Sequence, residues 1–222
     1  YRLRSSILIE KDDRQVIVDT GPDFRQQCLR ADIADIDAVL FTHAHKDHIA
    51  GFDELRSIYF RRRSPIPFWA THATYKQLEN EFHYFFKGSY PGRPELNHQA
   101  FSGTEELEVM GFRVQPIPVL HGKMTVHGFR IGDFAYVTDV NHIPEDSYQY
   151  LQDLDVLILS ALRPQPHYSH FTLEEALAEI KKLKPKQAYL THISHLLGQH
   201  AEVEADLPDL VKLAFDGLVL NV

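Results

Sequence analysis

Thr42–His48 reads T-H-A-H-K-D-H. It closes Asp37–Thr42 (DAVLFT), an apolar and β-branched run with the character of a strand, and it precedes Ile49–Phe60. There Ile49, Phe52, Leu55, Ile58 and Tyr59 share one face of a helix. His43 and His45 are two apart on a strand leaving its sheet, so their side chains point the same way. Asp47 and His48 follow where the chain turns into the helix. Three imidazoles and one carboxylate in so short a stretch need a physical reason. Each nitrogen binds a metal in its neutral form, and the carboxylate offsets the charge of a Zn²⁺-like ion.

Outward from this stretch, β-rich and helical segments alternate. Ser6–Glu10 and Gln15–Asp19 flank the polar Lys11–Arg14 and read as a hairpin, and a helix runs from Gly21-Pro22 through Arg30. Pro67–Ala70 is a short strand and Thr71–Phe86 a helix. Lys87–His98 (KGSYPGRPELNH) is a Gly/Pro loop, a candidate substrate lid through Tyr90 and Arg93. Phe101–Val137 is mostly strands: LEV, FRVQPIPV, MTVHGFRI and FAYVTDV. Pro144–Leu151 is a short helix, and Val156–Ser160 (VLILS) is a buried strand. Leu173–Leu183 is a helix with Thr172 as its N-cap, ending before Pro185. A strand Ala188–Thr191, a helix Ala201–Leu213 and a final strand Leu218–Val222 complete the chain. With no linker between the halves, the expected architecture is α/β (α+β): two packed sheets with helices outside, in one domain over residues 1–222.

Composition narrows the chemistry. The chain of 222 residues has fourteen histidines, one cysteine and a formal charge of −8. So acidic a balance argues against a nucleic-acid or anionic-membrane surface. Cys28 has no partner for an intrachain disulfide, which fits a reducing compartment and a cytoplasmic protein. No apolar run approaches the roughly 18 residues that span a bilayer. The chain starts at Tyr1 and is strand-like almost at once, from which a missing upstream segment is expected.

Further candidates sit at the ends of later strands. His121 in PVLHG could be a turn residue, Asp139 in YVTDV a helix cap, and His192 in YLTHISH a satisfied core histidine. They nonetheless follow the first motif in order, each at a strand end. The H-x-H-x-D-H pattern resembles the signature of the metallo-β-lactamase superfamily, and these later residues fill its remaining ligand positions. The resemblance implies a four-layer αββα sandwich and two divalent ions, Zn²⁺ or Mn²⁺. His43, His45 and His121 would hold one ion and Asp47, His48 and His192 the other, with Asp139 bridging.

Within the superfamily, DHIAGFDELR (Asp47–Arg56), VDTGPDFR (Val18–Arg25), THISH (Thr191–His195) and Asp216-Gly217 resemble the phosphoribosyl 1,2-cyclic phosphate phosphodiesterase branch. That resemblance implies hydrolysis of a small, cyclic-ribose type phosphodiester by a hydroxide bound between the metals. Asp47, Asp139 and His170 (in HYSHFTLEEAL) would carry the reaction. Arg163 is a candidate for contact with the phosphate, and Arg61–Arg63 reads as a solvated helix end. The branch also carries a structural zinc held by three cysteines and a histidine. His195 fits the histidine, and the cysteines are expected upstream of Tyr1. The rival readings are a tRNA 3′-processing nuclease, a thioester or lactam hydrolase, and a non-catalytic metal-binding module. The first lacks a long basic arm here, and the last expects eroded ligands. The expected partner is a small-molecule phosphodiester, with no membrane and no nucleic acid. The aromatic content of 11% permits a homodimer without locating its interface.

Overall fold

A computed structural model describes residues 2–87 and 91–222. The chain divides into two compact units. The first runs up to Ser102 and takes in Val109–Gly111; the second comprises Gly103–Glu108 and Phe112–Val222.

In the first unit, β1 (Ile7–Lys11) and β2 (Arg14–Val18) form an antiparallel hairpin with Ile7 opposite Val18. Its two turn residues, Asp12 and Asp13, both take positive φ, which suits the right-handed twist of the strands. Helix α1 (Phe24–Arg30) buries Phe24 and Cys28. Strand β3 (Ala38–Leu40) is wholly buried, as its unbroken apolar run requires. The helix expected from Ile49 instead starts at Lys46 and is interrupted. It becomes α2 (Lys46–Ile49), a 3₁₀ turn (Phe52–Glu54) and α3 (Leu55–Arg62). β4 (Ile66–Thr71) follows, then α4 (His72–Glu81) capped by the Thr71 side chain, and α5 (His83–Phe86) after a break at Phe82. Tyr90 lies outside the described residues, and from Leu96 the expected loop is strand β5 (Leu96–Phe101). The polar LNHQ hides this edge strand from an apolar pattern. It is held by parallel pairing with β4 and by His98, whose ring stacks on Tyr75 at 4.0 Å. The sheet order is β1-β2-β3-β4-β5, parallel from β2 onward. Its core includes Phe41, Phe52, Phe68 and Leu78.

The second sheet contains β6 (Leu107–Val109), β7 (Phe112–His121), β8 (Met124–Ile131), β9 (Phe134–Val137), β10 (Val156–Ser160), β11 (Gln187–Thr191) and β12 (Val211–Leu213). Its order is β12-β11-β10-β9-β8-β7-β6. β9 to β12 are parallel, while β8 is antiparallel to both β9 and β7. The carboxyl ends of β7, β9, β10 and β11 therefore lie along one edge. The expected helix over Pro144–Leu151 is a 3₁₀ helix, Glu145–Leu151. Helix α6 (Leu173–Leu183) has the expected bounds. Thr172 and Glu175 form a reciprocal capping box, and Ala176, Ile180 and Leu183 make the buried stripe.

Two expectations fail near the C-terminus. The helix over Ala201–Leu213 is only α7 (His200–Ala205), because Pro208 cannot continue it and Val211–Leu213 pairs with β11 instead. Leu218–Val222 forms no strand.

Gly51 explains the interrupted helix. The Asp19–Gly21 turn approaches α2 so closely that backbone hydrogen bonds join Thr20 N to His48 O and Gly51 N to Thr20 O, each 2.8 Å. A β-carbon on Gly51 would lie 2.2 Å from Gly21 O, and one on Gly21 would lie 2.4 Å from Asp47 O. Neither neighbour is a side chain that can swing away. Gly51→Ala should therefore cost about 1–3 kcal/mol, the range for forced overpacking, read as a lowered urea midpoint. An unchanged midpoint would show that the approach is not tight.

His127 on β8 yields a pH prediction. It is buried, and that burial pushes its imidazole down to about 4, with Glu105 opposing weakly. A folded-state pKa below the unfolded value gives stability that is complete above about pH 6.5 and is lost as pH falls toward 4. His127→Gln should flatten the loss across that window by up to about 3 kcal/mol. Parallel unfolding curves of the two proteins at each pH measure it, and equal slopes would refute the assignment.

Candidate metal centre

Each unit carries candidate metal-ligand side chains near strand ends. In the first unit β3 ends at Leu40, so His43 and His45 lie beyond the strand rather than on it. His45 is the exposed N-cap of α2, and Asp47 and His48 belong to that helix. The His43 ring centroid is 4.7 Å from that of His45 and 4.3 Å from that of His48.

Sequence reasoning assigned no role to the residue that orders this set, Asp19. It directly follows β2 in a left-handed conformation (φ 63°) and is fully buried. Oδ1 accepts from Thr42 N at 2.9 Å. Oδ2 accepts from the Thr42 hydroxyl at 2.8 Å and from His48 Nδ1 at 2.7 Å. A carboxylate has no proton to give, so the proton of His48 is on Nδ1 and its lone pair is on Nε2. The Thr42 hydroxyl, having donated to Asp19, is left to accept from His43 Nδ1 at 3.0 Å. That also places the lone pair of His43 on Nε2. One buried carboxylate thus sets the tautomer of two imidazoles, one directly and one through a hydroxyl. The available signal was only that Asp19 ends the strand-like run Gln15–Asp19 and is the second residue of the VDTGPDFR segment.

In the second unit, His121 is the last residue of β7, and its Nδ1 donates to the Ser169 carbonyl at 2.7 Å. Its Nε2 lone pair then lies 3.8 Å from Asp139 Oδ2. The other oxygen, Oδ1, is 3.0 Å from His192 Nε2 and accepts from the Thr138 hydroxyl at 3.1 Å. Asp139 and His192 also hold left-handed backbone, at φ 52° and 53°. The sheet explains their convergence, because β7, β9 and β11 deliver all three to the same edge.

His170 is buried beside this set. Its ring is 4.5 Å from His121 and 5.0 Å from His192. Burial, above all, pushes its pKa down to about 3; Asp139 opposes this, and the neighbouring histidines add to it. Its Nδ1 has no hydrogen-bond partner among the described residues.

Arg163 and His195 stand apart. Two donors of the Arg163 guanidinium brace its own loop, Nε to Gln165 O at 3.2 Å and Nη2 to Pro166 O at 2.9 Å. His195 is exposed in the turn after β11 and joins no metal-capable group among the described residues. Cys28 is buried in α1, its thiol pushed up to about 11 mainly by that burial.

The donor chemistry fits divalent cations. His121 Nε2 faces Asp139 at 3.8 Å, and His48 Nε2 faces Asp47 Oδ2 at 3.6 Å. In each case a fixed lone pair opposes a carboxylate oxygen, with no proton to share and a gap too long for a hydrogen bond. A cation between them satisfies both.

The chain belongs to the metallo-β-lactamase superfamily: the Beta-lactamase superfamily domain matches residues 14–193. Its fold is of that α/β class. A crystal structure described as a new diphosphatase from the PhnP family is 39% identical, with a TM-score of 0.93 over all of this chain and 85% of that one. This is the branch expected from the sequence. The short form of human tRNase Z shares the fold at 16% identity, with a TM-score of 0.75 over 98% of this chain and 92% of that one. A Porphyromonas gingivalis protein named octanoyltransferase is 34% identical over 98% of this chain. This chain spans only 44% of that protein's length. No helix among the described residues is long and apolar enough to cross a membrane.

Asp19→Asn tests the tautomer argument, because it keeps the shape and removes the charge that holds the His48 proton. Metal affinity should fall about 10- to 100-fold, the range for lost outer-shell partners. Competition with a chromogenic chelator reads it directly, and an unchanged affinity would remove Asp19 from the centre.

Proposed function

We propose that the chain is a metal-dependent phosphodiesterase acting on a small phosphodiester of the cyclic ribose phosphate class. In this reading one binuclear centre forms. As the family resemblance implies, His43, His45 and His121 would hold one ion, Asp47, His48 and His192 the other, and Asp139 would serve both. The observation that carries it is the presentation of Asp139, whose two carboxylate oxygens address different imidazoles. The likeness to the PhnP-family diphosphatase supports the phosphoester class. Divalent ions in such a set supply Lewis acidity toward a phosphoryl oxygen and a water acidified to near neutrality.

The protein's own groups do the rest. Asp19 and the Ser169 carbonyl hold protons on Nδ1 of His48 and His121, keeping each Nε2 available as a ligand. Thr138 donates to Asp139 Oδ1 and limits rotation of the bridging carboxylate. His170 is kept neutral by its buried position, so it acts by donating a hydrogen bond to the phosphoryl or leaving oxygen; Nδ1 is its unpartnered atom. Arg163, with a guanidinium tied to its own loop, acts on the phosphate only at long range.

The test is hydrolysis of bis-p-nitrophenyl phosphate and a cyclic ribose phosphate, with Mn²⁺ and with Zn²⁺. Nitrocefin, a glutathione thioester and an octanoyl thioester serve as contrasts. His43→Ala should abolish metal-dependent turnover, and an unchanged rate there would sink the assignment. His170→Ala should slow turnover by about 100-fold while both metals stay bound, the scale for losing one preorganised hydrogen-bond donor. Activity confined to a thioester would overturn the phosphodiester reading.

A further inference from the structure

The loop between β10 and α6 carries an aromatic feature that metal ligation and phosphate chemistry leave unused. Tyr168 is 82% exposed. A single exposed aromatic ring is ordinary on a protein surface, so exposure alone assigns nothing. Its position is more specific. Ring centroids step outward from the ligands, 4.5 Å from His121 to His170, 5.0 Å from His170 to His167 and 4.9 Å from His167 to Tyr168. The Tyr168 ring is also seated against the turn that follows His121. A β-carbon on Gly122 would lie 3.5 Å from its Cε2.

The loop is braced rather than loose. Arg163 bonds to the carbonyls of Gln165 and Pro166, Ser169 O accepts from His121, and Phe171 N donates to Val140 O at 2.7 Å. An aromatic ring carried on a braced loop binds a planar ligand with less ordering cost than one on a loose loop.

We propose that Tyr168, with His167, is a stacking platform that selects small phosphoesters carrying one nucleobase over those carrying an aliphatic group or a bare sugar. The platform deepens the phosphodiesterase reading and rests on it for the position of the phosphate. A mononucleotide suits it better than a polymer, because the net charge of −8 disfavours a polyanion.

The test pairs two esters with the same leaving group, thymidine 5′-(p-nitrophenyl phosphate) and methyl p-nitrophenyl phosphate, assayed with Mn²⁺. The wild type should favour the thymidine ester through KM. Tyr168→Ala should cut the thymidine-to-methyl ratio of kcat/KM about tenfold, within the range for one stacked base, and Tyr168→Trp should retain it. A ratio unmoved by Tyr168→Ala would overturn the platform. Calorimetric binding of thymidine 5′-monophosphate against ribose 5-phosphate provides a second readout. The base should tighten binding in the wild type and not in Tyr168→Ala, and equal affinities in the wild type would also overturn it. If neither ester is cleaved but the base-dependent binding persists, the phosphodiesterase reading falls and the platform stands.

Discussion

A buried carboxylate without a cationic partner is costly unless it is well hydrogen-bonded, and Asp19 receives three donors. Thr42 N, the Thr42 hydroxyl and His48 Nδ1 all point at it. The consequence reaches past the residue itself. These bonds tie the end of β2 to the segment leaving β3 and to α2, so the shape of the ligand loop and the protonation of its imidazoles are one constraint. Close packing at Gly21 and Gly51 enforces the same approach from the backbone side. A change that loosens the turn would therefore disturb ligand chemistry as well as stability.

The second unit solves the same problem with weaker means. His121 donates Nδ1 to a neutral backbone carbonyl, Ser169 O, where His48 uses a carboxylate. A carbonyl fixes the tautomer equally well, but it adds less basicity to Nε2 than a full negative charge. It has a different advantage. Ser169 immediately precedes His170, so the bond that orients a candidate ligand also positions the loop that carries the proposed hydrogen-bond donor and, one residue earlier, Tyr168.

What could be read in the sequence follows from how local each signal is. His43, His45, Asp47 and His48 were legible because their spacing is compact, and the strand VLILS and helix Leu173–Leu183 because their periodicity is unmixed. The later candidate ligands needed the resemblance, since each alone reads as an ordinary turn or core residue. Asp19 was out of reach because its role exists only through Thr42 and His48, 23 and 29 residues away. The errors share a cause. Gly51 interrupts a helix through tertiary crowding, β5 is polar because it is an edge, and Val211–Leu213 looks helical until β11 offers it a partner.

Left-handed backbone recurs at the candidate site as well as in turns elsewhere among the described residues. Asp19, Asp139 and His192 are all left-handed non-glycine residues, and each comes one or two positions after a parallel strand. Left-handed backbone costs such residues on the order of 1 kcal/mol or more. Glycine would relieve that cost but has no side chain to offer, so a metal-binding edge built from strand ends must accept it. Asparagine, aspartate and histidine tolerate the conformation better than most, and His192 is also held by its contact with Asp139, its ring stacking on His170 and its place at the end of β11. The strain is therefore offset by the sheet beneath, where β9, β10 and β11 are locked in parallel register among buried apolar neighbours. The stability of that apolar layer and the geometry of the ligand edge are two expressions of the same packing.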